Sequence, residues 1–366
     1  MASRVVRMSL DDALALGSEA WDALYAESPR PLPFMTWAWH RAWADAAPAD
    51  ERTSAEALAM FDASGVLRAL FPFALGRVVF HRVPVDSLTW AIGDAGCPDH
   101  LDVLAAPGTD LEPLATALDA IPWKILLLSN LAADAVNARA LGGRIAARGH
   151  AMRRRALWRC PRIAIDGDWE RYLGTLTPTR RQTVRRKERS LRRDFSVTIT
   201  DYTSATLDEG WRRFMMLHDR RWPGAGAFRE PRLERMQRAF AGQLAAAGRL
   251  WLTTLELDGA SAAAWYGFAL GDTVYFYQSG RDPRFEGESV GLVLMARMVR
   301  RAIERGYKRF DFLRGDDAYK AQWTSDHRAT EEIVLFRRGL AGRGLLLLDV
   351  AAALRSRHSP RRTGDA

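Results

Sequence analysis

The sequence predicts an α/β (α+β) protein of two units, each with a mixed, mostly antiparallel sheet flanked by helices. Three observations support this prediction. The 366 residues suffice for two domains, and 48% hydrophobic against 27% charged residues is ordinary globular usage. Strand-like apolar runs alternate with stretches of helical periodicity in both halves. Glycine-bearing turns separate neighbouring strand-like runs, as they do in antiparallel hairpins.

The first half, assigned to residues 1–153, shows a mixed pattern of helices and strands. "PFMTWAWHRAWADA" (33–46) carries tryptophans at helical spacing and predicts a helix. Two apolar runs flank the turn at 62–65 and predict a hairpin. A loop-rich acidic segment follows, and then a helix at "LEPLATALDAI", a buried strand at "WKILLLSNL" and a helix at 133–148. We expect the boundary between the units to lie between Gly149 and Cys160.

The second half, assigned to residues 154–340, begins with the strand-like "WRCPRIAI" and a basic helix broken at Gly174 and Pro178. A strand and two helices precede a meander of three strands, "RLWLTTLEL", "SAAAWYGFAL" and "TVYFYQSG", joined by short glycine turns. A helix at "ESVGLVLMARMVRRAIERG", a strand at "YKRFDFL", a short helix at "DDAYKAQW" and a strand at "TEEIVLFRR" complete the unit. Residues 341–366 are expected to form a helix and a basic, disordered tail.

Composition limits the compartment and the partners. Cys97 and Cys160 are the only cysteines, which leaves no disulfide framework and no zinc spacing, so we expect a cytoplasmic protein without a metal. The N-terminal stretch has aspartates where a signal peptide needs an apolar core, and "GLLLLDVAAAL" is too short for a transmembrane segment. The net charge of +9 indicates polyanionic partners such as nucleic acid, phosphorylated cofactors or anionic lipid.

One glycine-bearing loop has the chemistry of an anion site. The sequence contains no P-loop, nucleophile elbow, zinc-protease motif or dinucleotide fingerprint. In "RDPRFEGESVGLVL", Gly287 and Gly291 bracket a helix start, and Ser289 is predicted to cap it. Backbone N–H groups and the helix dipole at such a start suit a pyrophosphate. An ordinary capped helix is the alternative.

The ordered set of elements resembles the GNAT acyltransferase superfamily over residues 30–340, and within it the two-domain branch of Fem-like and CelD-like (cellulose-biosynthesis-associated) acetyltransferases. The resemblance rests on "PFMTWAWHRAW" and "GDAGCPDHLDVL" in the first half. In the second half it rests, more specifically, on "YFYQSGRDPRFEGESVGLVLMARMVRRAIERGYKRFDFLRGDDAYKAQW". It implies two tandem GNAT-like domains and acetyl-CoA or another acyl-CoA as co-substrate. The glycine loop departs from the superfamily's usual Q/R-x-x-G-x-G/A form.

The resemblance implies that acyl-CoA lies between the strands "TVYFYQSG" and "KRFDFL", with its pyrophosphate at the following helix start. The residues predicted to bind it are Tyr277, Gln278, Gly287, Ser289, Val290, Gly291 and Leu292.

The predicted catalytic residues are Asp311, Tyr319 and Lys320. Asp311 would take a proton from the amine or orient it, and Lys320 would stabilise an oxyanion or hold a substrate carboxylate. Tyr319 and Lys320 resemble the aromatic–lysine pair of Fem-like enzymes. The alternative is that Asp311 pairs locally with Arg314 and that Lys320 is solvated.

Other polar residues have weaker patterns. Asp99, His100, Asp102 and Arg314 are predicted to contact the acceptor substrate. His218 lies on an aromatic helix face, which is typical of the edge of a core rather than of a base. The basic helix "RRQTVRRKERSLRR" is either solvated or binds a phosphate-bearing partner.

The leading hypothesis is an acyl-CoA-dependent N-acyltransferase. Its acceptor would be an amine of a small molecule, a nucleotide-sugar or a polysaccharide or cell-envelope precursor. A Fem-like peptidyltransferase that uses aminoacyl-tRNA is the first alternative; the charge favours it, but no long helical arm interrupts the second half, so tRNA is not favoured. A non-catalytic GNAT pair that binds nucleic acid is the second alternative.

Overall fold

The computed structural model describes residues 3–28, 32–315 and 317–358. Its strands, in chain order, are β1 (Arg4–Ser9), β2 (Ala55–Phe61), β3 (Leu67–Phe80), β4 (Val83–Trp90), β5 (Leu104–Ala105), β6 (Ile125–Leu131), β7 (Ala151–Ala164), β8 (Val197–Asp201), β9 (Leu250–Leu257), β10 (Ala260–Leu270), β11 (Thr273–Arg281), β12 (Arg309–Asp311) and β13 (His327–Phe336).

The α-helices, in the same order, are α1 (Leu10–Ala15), α2 (Gly17–Ala26), α3 (Trp37–Ala46), α4 (Ala49–Ser54), α5 (Glu112–Ala120), α6 (Val136–Ala147), α7 (Trp169–Thr175), α8 (Pro178–Asp194), α9 (Leu207–Arg221), α10 (Pro231–Ala246), α11 (Val290–Glu304) and α12 (Leu340–His358). The described residues form two compact units. The first comprises those within Met1–His40, Ala47–Leu157 and Thr330–Ala366, and the second those within Arg41–Ala46 and Trp158–Ala329. Residues 330–340, which the sequence analysis assigned to the second half, belong to the first unit in this division.

The sheet of the first unit is mostly antiparallel. Strands β1, β2, β3 and β4 are antiparallel neighbours, and β5 pairs with β3. β4 then runs parallel to β6, and β6 runs antiparallel to β13. The order is therefore four antiparallel strands, one parallel pair and one further antiparallel strand.

The second unit repeats this plan. Strands β8, β9, β10 and β11 are antiparallel neighbours, β11 runs parallel to β12, and β12 runs antiparallel to β7. Val274 lies opposite Phe310, so the expectation that the strands of Tyr275 and Phe310 are neighbours in one sheet is confirmed. The α/β fold class with two GNAT-like sheets, each flanked by helices, is likewise confirmed.

The two faces of the second sheet bury different helices. Along β10, successive side chains point to opposite faces. Trp265 packs with Phe276 and with the apolar face of α11, together with residues of α7 and α8. Tyr266 packs on the other face with Trp211 and Phe214 of α9. This burial of large aromatics on both faces explains the tryptophan content of the second half.

Two predicted elements differ in extent. The strand expected at "YKRFDFL" is only three residues long, and the short helix expected over 316–323 is a single 3-10 turn at Lys320–Gln322, with Asp316 outside the described residues. Leu313 and Gly315 have φ of 56° and 124°. These left-handed conformations interrupt regular structure, and the remaining stretch is too short to nucleate a helix.

Some observed strands were not predicted from the sequence. β1 was missed because charged residues interrupt its apolar alternation, and β4 because it adjoins a long, loop-like segment. α12 continues to His358, so the first residues of the expected disordered tail are helical, while residues 359–366 lie outside the described part of the chain.

Candidate active site

The parallel pair at the centre of the second sheet splits open. Pairing between β11 and β12 ends at Tyr275 and Asp311, while β11 continues to Arg281. On its other side β11 carries a bulge: Gly267 pairs with Phe276 but Tyr266 pairs with Gln278, so Tyr277 is an extra residue. A bulge bends the strand that contains it. The end of β11 is therefore free to diverge from β12 and to leave space beside the helix that follows.

A cavity of about 420 Å³ occupies this region, at the N-terminus of α11, and we call it the α11 cavity. It is formed by residues of β10 and β11, the start of α11, the end of α9, one residue of α8 and the segment around the 3-10 turn. Its lining is Arg180, Arg221, Ala264, Trp265, Ser279, Gly280, Arg281, Glu286, Ser289, Gly291, Leu292, Leu294, Met295, Tyr319, Gln322 and Trp323.

Arginines dominate the charge of the α11 cavity. Arg221 donates to the hydroxyl of Ser279, and its guanidinium lies 6.0 Å from the centre of the Tyr319 ring. Burial lowers the pKa of Arg221, so its charge is partly desolvated. Arg281 pairs with Glu286 at 3.3 Å. With Arg180, three arginines and one carboxylate line the cavity, and this arrangement suits an anionic ligand.

The first turn of α11 faces this cavity with uncapped backbone donors. Ser289 occupies the N-cap position in a left-handed conformation, φ 58°, and its side chain makes no capping hydrogen bond. Ser289 therefore holds the predicted N-cap position without the side-chain hydrogen bond of a cap, because its backbone is left-handed and not extended as in an ordinary N-cap. Its carbonyl instead accepts from Leu292 and Val293. The amides of Val290 and Gly291, which precede these two donors, remain available to an anion.

The loop between β11 and α11 is held by a buried carboxylate that the sequence analysis missed. Asp282 is 2% exposed, accepts from the backbone N–H of Arg284 at 3.0 Å, and pairs with the side chains of Arg220 and Arg284. These contacts hold the pKa of Asp282 down to about 2. Lys187 of α8 also donates to the carbonyl of Gly287 at 2.6 Å. The position of the glycine loop is therefore fixed from two sides.

Tyr319 lines the α11 cavity, whereas Lys320 is directed elsewhere. Burial raises the pKa of the Tyr319 phenol, which is therefore protonated at neutral pH. The buried Lys320 ammonium donates to the carbonyl of Arg314 at 2.6 Å and lies 3.1 Å from a carboxylate oxygen of Asp317. Lys320 thus closes the loop that follows β12, and only its neighbour faces the cavity.

Asp311 is the last paired residue of β12 and is 6% exposed. One carboxylate oxygen accepts from the backbone N–H of Leu313 at 2.8 Å. Arg314 stacks near Trp158, with its guanidinium carbon 5.8 Å from the ring centre. The assignment of Asp311, Lys320 and Arg314 to catalysis or substrate binding stays a prediction.

The predicted cofactor residues divide into two groups. Ser289, Gly291 and Leu292 line the α11 cavity. The others do not: Val290, the first residue of α11, is buried in the hydrophobic core, and Tyr277 packs on Tyr266 at the α9 face, 5.5 Å between ring centres. Gln278 and Gly287 flank the lining residues along the chain. The roles of all seven residues stay predictions.

Residues that the sequence analysis did not single out contribute more of the lining. Trp265 is 1% exposed, and its indole N–H has no hydrogen-bond partner among residues 3–28, 32–315 and 317–358. Arg221 was hidden in an amphipathic helix, and Arg180 in a run of arginines. One signal was present in the sequence: Ser279, Gly280 and Arg281 continue the strand whose earlier residues were selected.

The predicted acceptor residues of the first unit are buried. Asp102 accepts from the backbone N–H groups of Asn137 and Ala138 at the start of α6, at 3.3 and 2.6 Å, and burial raises its pKa to about 6. Asp99 and His100 are also buried. These contacts give Asp102 a helix-capping role, and acceptor contact by the three residues stays a prediction.

His218 is buried against Phe214 and Phe228, with ring centres 5.9 and 4.9 Å away. Burial lowers its pKa, so the neutral imidazole is the stable form. These aromatic contacts agree with the prediction that His218 lies at the edge of a core.

Across residues 3–28, 32–315 and 317–358, no group of three or more His, Cys, Asp or Glu side chains is arranged to hold a metal ion. Among the described helices, none is both long and apolar enough to cross a membrane. Cys97 and Cys160 are not joined by a disulfide.

The chain is similar to known proteins in part of its sequence and in its fold. Residues 178–321 match the acetyltransferase (GNAT) domain family. Comparison with curated proteins gives no match. The chain is similar in structure to FemX, with 12% identity, coverage of 95% of this chain and 99% of that one, and a TM-score of 0.58.

Two further structures show the same fold. L-PGS from Bacillus licheniformis is 11% identical, with coverage of 93% and 97% and a TM-score of 0.55. A conserved protein of unknown function from Bacteroides thetaiotaomicron is 13% identical, with coverage of 88% and 98% and a TM-score of 0.55. Residues 178–321 therefore form a GNAT-type acyltransferase domain, in a chain with the Fem-like fold of two GNAT-like domains.

Proposed function

We propose that the chain transfers an acyl group from an acyl-CoA, such as acetyl-CoA, to an amine of a small molecule, a nucleotide-sugar or a cell-envelope precursor, as a CelD-like member of the superfamily. The observation that carries the proposal is the α11 cavity. It lies where β11 parts from β12, and it combines a helix N-terminus with arginines. A pyrophosphate needs donors and positive charge of this kind.

The residues of the cavity fit acyl-CoA in two further respects. The unpartnered indole N–H of Trp265 offers a buried donor to an amide carbonyl, and leaving such a donor unpaired costs about 1–3 kcal/mol. Gly291 leaves open space above the first turn of α11, since a Cβ built there meets nothing within 4 Å. A phosphate can therefore approach the backbone closely. When bound, acyl-CoA supplies an activated thioester.

The chain's own residues would then accept one proton and donate another. Forming the N–C bond and breaking the C–S bond requires the amine to lose a proton and the departing sulfur to gain one. Tyr319, protonated and in the cavity, is placed to donate the second proton. Asp311 at the end of β12 would orient the amine or accept the first. Lys320 would hold the loop that carries Tyr319.

Binding of acetyl-CoA, measured by calorimetry, tests the proposal. Gly291→Val should weaken binding at least about tenfold, because losing one charge-assisted contact to phosphate costs about 1.5–3 kcal/mol. Gly174→Val is the matched control, since Gly174 also lies in a helix, has open space around its Cβ position and does not line the α11 cavity. Equal affinity of both variants for acetyl-CoA would place the phosphates elsewhere.

A second candidate donor is aminoacyl-tRNA. The observation that favours it is the outer surface of α8, where Arg185, Arg186, Arg189, Arg192 and Arg193 are exposed. A tRNA-dependent enzyme should bind tRNA with strong salt dependence and transfer the amino acid without CoA. Transfer from acetyl-CoA in the absence of tRNA would exclude this alternative.

A further inference from the structure

A second cavity lies beside the first in the same unit, and we call it the α8 cavity. Its volume is about 790 Å³, within the range of small-molecule sites. The end of β7, the residues that join α7 to α8, the first turns of α8 and residues 321–326 form its walls. The proposed acyl-CoA contacts at the start of α11 do not line it.

Three residues line both cavities: Arg180, Gln322 and Trp323. Two of them are stacked, with the Arg180 guanidinium 4.5 Å from the centre of the Trp323 ring. Trp323 is 1% exposed, and its carbonyl accepts from the Tyr172 hydroxyl at 2.9 Å. A guanidinium stacked on an indole keeps its N–H edge free for an anion. The α8 cavity therefore adjoins the α11 cavity at these three residues.

The charge of Arg180 is unbalanced. Within the described part of the chain it makes no ion pair, and its Nε is buried without a hydrogen-bond partner. Burial lowers its pKa. The carboxylate in the lining, Asp326, already pairs with Arg162 at 2.9 Å. The α8 cavity therefore carries one net positive charge on a planar donor.

Hydroxyl groups make up much of the remaining polar lining, which consists of Thr175, Thr177, Thr179, Thr183, Thr324 and Ser325. Some are engaged with the backbone: Thr175 donates to the carbonyl of Tyr172 at 2.8 Å, and Thr324 to that of Arg162 at 2.7 Å. Hydroxyls that both donate and accept match the hydroxyls of a sugar.

We propose that the α8 cavity binds the acyl acceptor, and that this acceptor is hydroxyl-rich and anionic, in the manner of a phosphorylated amino sugar, with its anionic group on Arg180. The inference rests on the proposed function, which requires an amine at the cavity wall. The acceptor needs an amine because the transfer forms an N–C bond. Its hydroxyls would pair with the threonine hydroxyls of the cavity, and its anionic group would balance the charge of Arg180. Acceptor and donor would then bind in adjoining cavities, and the amine would reach the thioester past the edge of the Arg180–Trp323 stack.

Methyl NMR of the full chain tests this inference. Threonine, leucine and methionine methyl groups are labelled, and glucosamine 6-phosphate is added up to about 10 mM, which fills a site with a Kd of about 1 mM. We expect shifts of Thr179 and Thr183, which line only the α8 cavity. Inorganic phosphate should shift the same signals, and glucosamine should bind at least about tenfold more weakly than its phosphate.

Two variants make the test specific. Arg180→Gln should weaken glucosamine 6-phosphate binding by about tenfold or more, and its ligand-free threonine spectrum reports whether the fold is intact. Thr183→Val conserves shape and removes one hydroxyl of the α8 cavity, so it should weaken glucosamine 6-phosphate but leave acetyl-CoA affinity within about twofold. Unchanged affinity of Arg180→Gln for the sugar phosphate would overturn the inference.

The same spectra separate this inference from the proposed function. Acetyl-CoA should shift Leu292 and Met295, which line only the α11 cavity. If acetyl-CoA shifts them but the sugar phosphate leaves Thr179 and Thr183 unchanged, or shifts Leu292 and Met295 instead, the acceptor site is refuted and the function stands. If acetyl-CoA shifts neither methyl group, the proposed function fails, and the acceptor inference fails with it.

Discussion

Gly280 is the position at which β11 touches α9, and replacing it should be costly. An ideal Cβ at Gly280 would lie 2.4 Å from the backbone N of His218 and 2.5 Å from the backbone carbon of Leu217. Carbon contacts are optimal at about 3.5–4 Å, so α9 would have to move by about 1 Å. No rotamer change can relieve the clash, because both neighbours are backbone atoms. Overpacking of this kind typically costs about 1–3 kcal/mol.

We therefore expect Gly280→Ala to lower the free energy of unfolding by about 2–3 kcal/mol, near the upper end of that range. With a urea dependence of about 2 kcal/mol per M, the midpoint falls by roughly 1 M. Displacement of α9 also draws Arg221 away from Ser279, so acetyl-CoA affinity should fall as well. Unfolding is followed by tryptophan fluorescence and by circular dichroism.

Gly242→Ala is the matched control. A Cβ at Gly242 in α10 comes no nearer than 3.7 Å to a side-chain atom of Leu207, which is ordinary contact. Alanine is favoured over glycine within a helix by about 1 kcal/mol, so this variant should be as stable as the wild type or more stable. If Gly280→Ala has the same urea midpoint as Gly242→Ala, the close contact between β11 and α9 is wrong.

Three further changes test separate parts of the structure. Asp282→Asn should lower the free energy of unfolding by about 1–3 kcal/mol near neutral pH; because the carboxyl pKa is about 2 when folded, this advantage is present above pH 3.8, and urea titrations should show it disappear towards pH 2. Burial lowers the pKa of His40 from 6.5 to about 4, so wild-type stability should fall by roughly 3 kcal/mol between those pH values, and His40→Gln should lack this part of the slope. Lys320→Met removes the donor to the Arg314 carbonyl and should reduce kcat by roughly two orders of magnitude with little change in acetyl-CoA affinity. Lys320→Arg should not restore kcat, because little space surrounds the ammonium for a larger guanidinium: a Cβ built at Gly315 would lie 2.8 Å from it. Full activity of either Lys320 variant would contradict a role in holding the loop.

Much of the second sheet follows from local patterns. Strands β10 and β11 show a period of two residues, and α11 shows an apolar face with a period of 3.6. Glycines mark the β10–β11 turn and, at Gly306, the end of the helix before the next strand. Because a strand, a crossover helix and a strand form a parallel neighbour pair, Val274 beside Phe310 could be predicted.

The lining of the cavity could be predicted only in part, because it depends on departures from those periods. The bulge adds one residue to β11, which places Tyr277 with α9 and leaves Ser279 and Arg281 at the cavity. No alternation of side chains reveals such an insertion. Arg180 and Arg221 reach the cavity from helices distant in sequence, and their neighbours in the chain are also basic, so composition does not single them out.

Hydrogen–deuterium exchange with and without acetyl-CoA locates the acyl donor without any substitution, because it reports which backbone amides the ligand protects. We predict slower exchange for the backbone amides of residues 279–281 and 287–292, and no change in the β2–β3 hairpin. Acetyl-CoA binding that leaves residues 287–292 unprotected, or protects a different part of the chain, would contradict the claim that the start of α11 holds the acyl donor.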